Sequence, residues 1–144
     1  MGEMQMNYAA KKFADFNLGD TSSFTKTITE TDVVMFAGIS GDMNPLHMDD
    51  EYAKTTQFKS RIAHGALVAS LLGPAGASFF GCESVYMAHT QRFLAPVRIG
   101  DTITATVEVK EMIPEKKRIK TYSTCTNQHG ALVVAGESLI KIFA

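Results

Sequence analysis

The sequence is poor in cysteine, with Cys82 and Cys125 alone, far apart in apolar or β-like surroundings. Two such positions make neither a disulfide framework nor a metal-ligand spacing, so we expect buried, unbonded thiols in a reducing compartment. An excess of either charge is also lacking. Lys and Arg number 14 against 15 Asp and Glu, scattered along the chain to a net −1. Duplex binding needs a concentrated basic face, so nucleic acid is not an expected partner. No apolar run is long enough for a bilayer: the longest, Gly65–Phe80, is short and contains Gly73, Pro74 and Gly76. The opening MGEMQMNYAA lacks the basic segment and apolar stretch of a signal peptide, and Met6 stands where an N-acylation motif needs Ser or Thr. A cytoplasmic protein without membrane association is therefore expected. Repeats, low-complexity tracts and linkers are missing, as is the G-x-S-x-G elbow of many serine hydrolases.

What remains is an ordinary globular composition. With 144 residues, 45% of them hydrophobic, the chain suits a single domain spanning residues 1–144 with a sizeable core. Residues 1–18 are weakly patterned and hold either no fixed structure or an opening strand. Phe24–Ile28 alternates as a strand. Thr29 or Thr31 then caps a short helix over Val33–Ala37 that stops near Gly38 or Gly41. The polar stretch from Ser40 to Phe58 reads as irregular backbone, with a short helix from Asp49 or Asp50 to Lys54. Gly65–Phe80 is apolar nearly all round, which predicts a helix enclosed by the rest of the protein.

Four strands follow, over Glu83–Ala95, Asp101–Ile113, Arg118–Thr126 and Ala131–Phe143. In the second, Ile103, Ala105, Val107 and Val109 alternate with polar residues, the period-two signature of a half-buried strand. The last is apolar on both faces and should be central or covered on both sides, with Gly136 marking a bulge. The order predicts an α+β domain in which one antiparallel sheet curls round one helix. The outer sheet surface is left available for pairing, which suggests a homodimer.

The chemistry concentrates in Asp42-Met43-Asn44-Pro45-Leu46-His47, an acid, an amide and an imidazole within six residues. Pro45 stiffens this loop, and an acid–base pair is effective only when held rigidly. Taken alone, the same residues equally suit turn hydrogen bonds by Asp42 and Asn44 beside a surface His47. At His64-Gly65 the buried helix begins. The Gly65 N–H could face a developing oxyanion, or Gly65 could simply let the chain enter the helix. His47, Asp49 and Asp50 lack a metal-ligand spacing and read as solvated acids beside a histidine, so no metal is expected. The Lys59–Arg61 and Lys116–Arg118 clusters either face solvent or meet the phosphates of a coenzyme A or carrier-protein arm.

Three stretches carry a resemblance: FAGISGDMNPLHMDDEYA (Phe36–Ala53), RIAHGALVASLL (Arg61–Leu72) and SVYMAHTQRFLAPVRIGDTITATVEV (Ser84–Val109), the last with an F-x-x-P-V-x-x-G-D turn. Together they resemble the MaoC-like, (R)-specific enoyl-CoA hydratase family. The resemblance implies the hot-dog fold, a curved antiparallel sheet around a long central helix, assembled as a homodimer or a higher oligomer. It implies hydration of a trans-2-enoyl thioester to the (R)-3-hydroxyacyl thioester by Asp42 and His47 acting through a bound water. Asn44 would brace the substrate side of the loop, and the Gly65 N–H would meet the thioester oxygen. No cofactor is implied, coenzyme A or carrier-protein pantetheine being part of the substrate. Gly73 stands where some members carry a hydroxyl residue, which bears on acyl-pocket shape. The same fold also serves 3-hydroxyacyl-carrier-protein dehydratases, acyl-CoA thioesterases and non-catalytic acyl-CoA-binding domains. The last of these has no need of both Asp42 and His47.

Overall fold

A computed structural model describes residues 7–144, so the Met1-Gly2 start lies outside the described residues. No strand forms in residues 7–18. Phe13–Asp15 makes a 3-10 turn, and Phe16 buries itself against Phe79 and Phe80, ring centroids 5.3 and 5.4 Å away. Strand β1 (Thr21–Thr27) starts three residues before its expected position at Phe24. Its hydroxyls explain the extension, because Ser23, Thr25 and Thr27 bond to Thr106, Thr104 and Thr102 across the strand pair.

Helix α1 (Glu30–Ser40) opens on a capping box: Thr29 Oγ1 accepts from Asp32 N while the Asp32 carboxylate accepts from Thr29 N. It closes on Gly41 in the left-handed region, φ 79°. The stretch expected to be irregular contains a helical turn, α2 (Pro45–Met48), because Pro45 occupies its first position and Asn44 Oδ1 accepts from Leu46 N. Helix α3 (Asp50–Thr55) follows, its N-terminus capped by Asp49.

The central helix is interrupted, running as α4 (Gly65–Ser70) and α5 (Leu72–Phe80). Pro74 has no N–H for the Ser70 carbonyl, and its ring crowds that carbonyl, so the junction tightens to a Leu71 N–H···O=C Val68 bond of 3.2 Å. Nor is the helix enclosed all round. Val68, Leu71, Leu72 and Ala75 are buried, whereas Ala66 and Ser70 face outward.

Strands β2 (Ser84–Phe93), β3 (Thr102–Ile113), β4 (Arg118–Thr126) and β5 (Leu132–Ile142) complete one five-stranded antiparallel sheet in the order β1-β3-β4-β5-β2. The alternation read in β3 holds, with Ile103, Ala105, Val107 and Val109 all buried. They share a core with Cys125, Val133, Val134 and the buried face of α4 and α5. A single sheet packed on a central helix is thus the α+β layout the sequence leads one to expect. β5 lies inside the sheet between β4 and β2, as its two apolar faces required. Cys125 is buried, and burial pushes the pKa of its thiol up to about 12, but Cys82 is exposed, contrary to expectation; neither forms a disulfide.

Gly136 does not mark a bulge, since it pairs in register with Gln91 on one side and Ser123 on the other. The glycine is needed for close approach: a Cβ there would collide with the Thr90 carbonyl oxygen of β2. Gly136→Ala should therefore force β2 and β5 apart and cost about 1–3 kcal/mol, the usual penalty of overpacking. A urea denaturation midpoint equal to that of the parent protein would refute this account.

Candidate active site

The loop between α1 and α2 brings Asp42 and His47 together. Asp42 hangs from the end of α1, its N–H bonded to Ser40 Oγ at 3.1 Å and its Oδ1 accepting from Asn44 N at 3.2 Å. Because Asn44 caps α2, its side chain sets the direction in which that turn leaves, and His47 sits in the turn. His47 Nδ1 lies 2.8 Å from the Ile62 carbonyl oxygen. A carbonyl can only accept, so Nδ1 carries the hydrogen, and the neutral ring presents a bare lone pair at Nε2. That nitrogen lies 3.9 Å from Asp42 Oδ2. The gap is long for a direct hydrogen bond, yet a single water oxygen fits within about 2.8 Å of both atoms. The histidine side chain is 12% exposed and the aspartate 50%, so the pair stands half in the protein and half open to a ligand.

Gly65 opens α4, and among the described residues its N–H has no acceptor. The space beside its Cα is occupied. The Phe93 ring lies over it, so closely that a Cβ would come within 2.7 Å of two ring carbons. Glycine here lets an aromatic wall pack against the helix start. His47, Gly65 and Phe93, with Phe58, Val97 and Val133, line one cavity of about 480 Å³, a volume suited to an acyl chain. Asp42 and Asn44 are not among its wall residues.

Several residues that shape the site carried no clear signal in the sequence. Arg61 is not a solvent-facing cluster residue: its side chain is 13% exposed. It bonds Glu30 of α1 at 2.6 and 3.0 Å, Asp50 of α3 at 2.8 Å and the His47 carbonyl at 3.3 Å. The hydrogen bonds to Glu30 and then Asp50 hold the guanidinium still more firmly in its charged form. Asp50 is thereby an ion-pair partner and Asp49 a helix cap, not a metal set with His47. His64, noticed only as the neighbour of Gly65, is buried, with Nε2 2.9 Å from the Asp42 carbonyl oxygen. Its ring stacks on His47 at 4.0 Å. Asp42, His47 and His64 place potential ligand atoms within 4.8 Å of one another, with His64 Nε2 engaged by the Asp42 carbonyl. Neither Ser40 nor Ser70 forms a triad, because their hydroxyls donate to the Phe36 and Leu67 carbonyls.

Residues 16–130 match the model of the MaoC like domain. A Rhodospirillum rubrum protein named (R)-specific enoyl-CoA hydratase is 44% identical over 131 residues, covering 90% of each chain. A Methylorubrum extorquens 3-hydroxybutyryl-CoA dehydratase is 42% identical over 131 residues, covering 90% of this chain and 83% of its own. Among solved structures, the R-hydratase PhaJ1 from Pseudomonas aeruginosa superposes with a TM-score of 0.85 at 40% identity, over 91% of this chain and 84% of that one.

Arg61 offers a direct test of how the loop is held. Arg61→Met keeps most of the apolar stem and removes the bonds to Glu30, Asp50 and His47. We expect a loss of about 1–2 kcal/mol, less than fully buried charge-assisted bonds would cost because both acids are partly solvated. It should appear as a lower urea midpoint at unchanged slope. A variant as stable as the parent would show that Arg61 does not brace this loop.

Proposed function

The chain belongs to the MaoC-like domain family, and on that premise we propose that it catalyses the reversible, (R)-specific hydration of a trans-2-enoyl-CoA to the (R)-3-hydroxyacyl-CoA. Its architecture is the hot-dog fold, and the whole chain is read as one domain. The observation that carries the proposal is the Asp42–His47 pair, two acceptors 3.9 Å apart with the second nitrogen of the imidazole locked to Ile62. A water between them donates one hydrogen to the carboxylate and one to Nε2, and its lone pair is turned toward the cavity. The high identity to proteins named for CoA thioesters favours CoA over a carrier protein as the acyl bearer.

In the forward direction the water oxygen bonds to C3 as Asp42 takes its proton. The C2=C3 π electrons move toward the thioester carbonyl, whose developing negative charge the Gly65 N–H is free to meet. A proton returns from the Asp42–His47 pair to C2 on the same face, giving syn addition. The pair shares its protons, so neither residue alone owns the step. One O–H bond of water and the C2=C3 π bond break, while C3–O and C2–H form, and nothing is oxidised or reduced. This chemistry calls for no metal, flavin or nicotinamide. CoA enters as part of the substrate.

We further propose that the working unit is a homodimer built on β2. This ten-residue strand lies at the sheet edge with Val85, Tyr86, Met87 and Phe93 exposed, a surface that a lone chain would leave open to association. The other edge, β1, is a polar Ser/Thr strand. No helix among the described residues is long and apolar enough to cross a membrane, and we assign the protein to the cytoplasm. Light scattering at micromolar concentration should give twice the chain mass; a strictly monomeric mass would exclude the dimer.

The decisive assay follows the loss of enoyl-thioester absorbance with crotonyl-CoA, with a thiol-reactive dye present. Hydration consumes the chromophore without freeing thiol; thiol release would instead identify a thioesterase. Asp42→Asn preserves size and the local turn bonds but cannot take the proton. Its kcat should fall by about 10²–10⁴-fold with KM little changed. A folded Asp42→Asn protein with near-normal turnover would refute the mechanism.

A further inference from the structure

We propose that His64 is a positioning residue that holds Asp42 and His47 in register with Gly65; the inference rests on the hydratase reading of the site. His64 reaches 22 residues back along the chain to donate Nε2–H to the Asp42 carbonyl at 2.9 Å. The same ring lies against His47, centroids 4.0 Å apart and planes inclined by 33°, and is backed by Phe36 at 4.8 Å. One side chain thus touches both members of the pair. It is also covalently adjacent to Gly65, whose N–H has no acceptor among the described residues.

The tie matters because the other hydrogen bonds of Asp42 and Met43 stay within the loop. Asp42 N bonds Ser40, Asp42 Oδ1 bonds Asn44 N, and Met43 N bonds the Gly41 carbonyl, all contacts within a few residues. Such turns keep their shape while swinging as a body. The His64–Asp42 bond is the one among the described residues that fastens the Asp42 backbone to the start of α4.

Purely structural uses of His64 fit less well. It occupies the N-cap of α4 and makes no capping bond, where Ser, Thr, Asp or Asn would contribute about 1 kcal/mol. It is 2% exposed, yet Nδ1 is buried without a partner, an arrangement that ordinarily costs about 1–3 kcal/mol. A residue chosen for stability alone would avoid both. The two contacts it does make converge on the acid–base pair.

Two substitutions separate its contacts. His64→Phe keeps a ring on His47 and removes the donor, whereas His64→Gln places an amide N–H near the position of Nε2 and removes the ring. With crotonyl-CoA, kcat of the Phe variant should fall on the order of 10²-fold with KM nearly unchanged, the loss expected when a reacting group is displaced by about 1 Å. The Gln variant should recover most of that loss. In substrate-free protein, the ¹³C resonance of the Asp42 carboxylate should stay near its parent position in the Gln variant and shift in the Phe variant, as Asp42 moves relative to His47. Wild-type kcat in the Phe variant, or a Gln variant no better than Phe, would overturn the proposal. Should Phe prevent folding, a folded Gln variant as slow as Asp42→Asn overturns it alone. If the parent protein does not hydrate crotonyl-CoA, the hydratase reading fails, and the Asp42 carboxylate spectra still decide: an unshifted resonance in the Phe variant refutes the positioning role.

Discussion

Everything at the site depends on the hydrogen bond from His47 Nδ1–H to the Ile62 carbonyl. Its net worth to stability is about 1 kcal/mol, and its consequence lies in the tautomer it selects. Ile62 belongs to an extended segment, Arg61–His64, that leads into Gly65 and in which successive groups serve the site in turn. The Arg61 side chain holds the His47 carbonyl, the Ile62 carbonyl holds the His47 ring and the His64 ring holds the Asp42 carbonyl. The Gly65 N–H is left free. A slip of one residue would misplace all of them together, because neighbouring groups on an extended chain point in opposite directions.

The segment is held in register from its other side. Ala63 N donates to the Val97 carbonyl at 2.8 Å, and Ile62 bridges Arg98. Arg98 in turn bonds the Phe58 carbonyl and Ser60, and its own N–H is held by Asp101. This gives the F-x-x-P-V-x-x-G-D turn a physical meaning. Phe93 covers Gly65, Val97 fixes the segment carrying the site, and Asp101 closes the turn that presents Val97 and Arg98. The turn is a support for the candidate site, although neither Asp42 nor His47 belongs to it.

These supports show which features a sequence can reveal. The strands were legible because burial on one face writes itself as period two, as in Ile103–Val109, and the capping box at Thr29 and Asp32 is equally local. Asp42 and His47 were legible because an acid, an amide, a proline and an imidazole fall within six residues. The His47 acceptor was not, since any residue supplies a carbonyl and the one used lies 15 positions away. Arg61 looked like a surface charge because Glu30 is 31 residues distant. The packing of Phe16 on Phe79 and Phe80 joins the two ends of the helix-bearing half of the chain, and no periodicity anticipates it. The helix was expected to be enclosed because an apolar composition does not say which chain does the enclosing.

The helix starts show where local stability yields to the site. Thr29, Asn44 and Asp49 each cap the helix that follows, satisfying an N–H that would otherwise be unpaired. The next helix to leave a loop, α4, begins at His64 with no cap. A capping oxygen there would accept from the first turn and crowd the donors beside Gly65. The structure instead leaves those donors open and directs the His64 ring away from the helix, toward Asp42. The exception falls at one of four comparable helix starts, and it is the one bordering the cavity that contains His47 and Gly65. A sequence that obeys a local rule wherever it can, and breaks it beside the proposed acid–base pair, fits a position shaped by function.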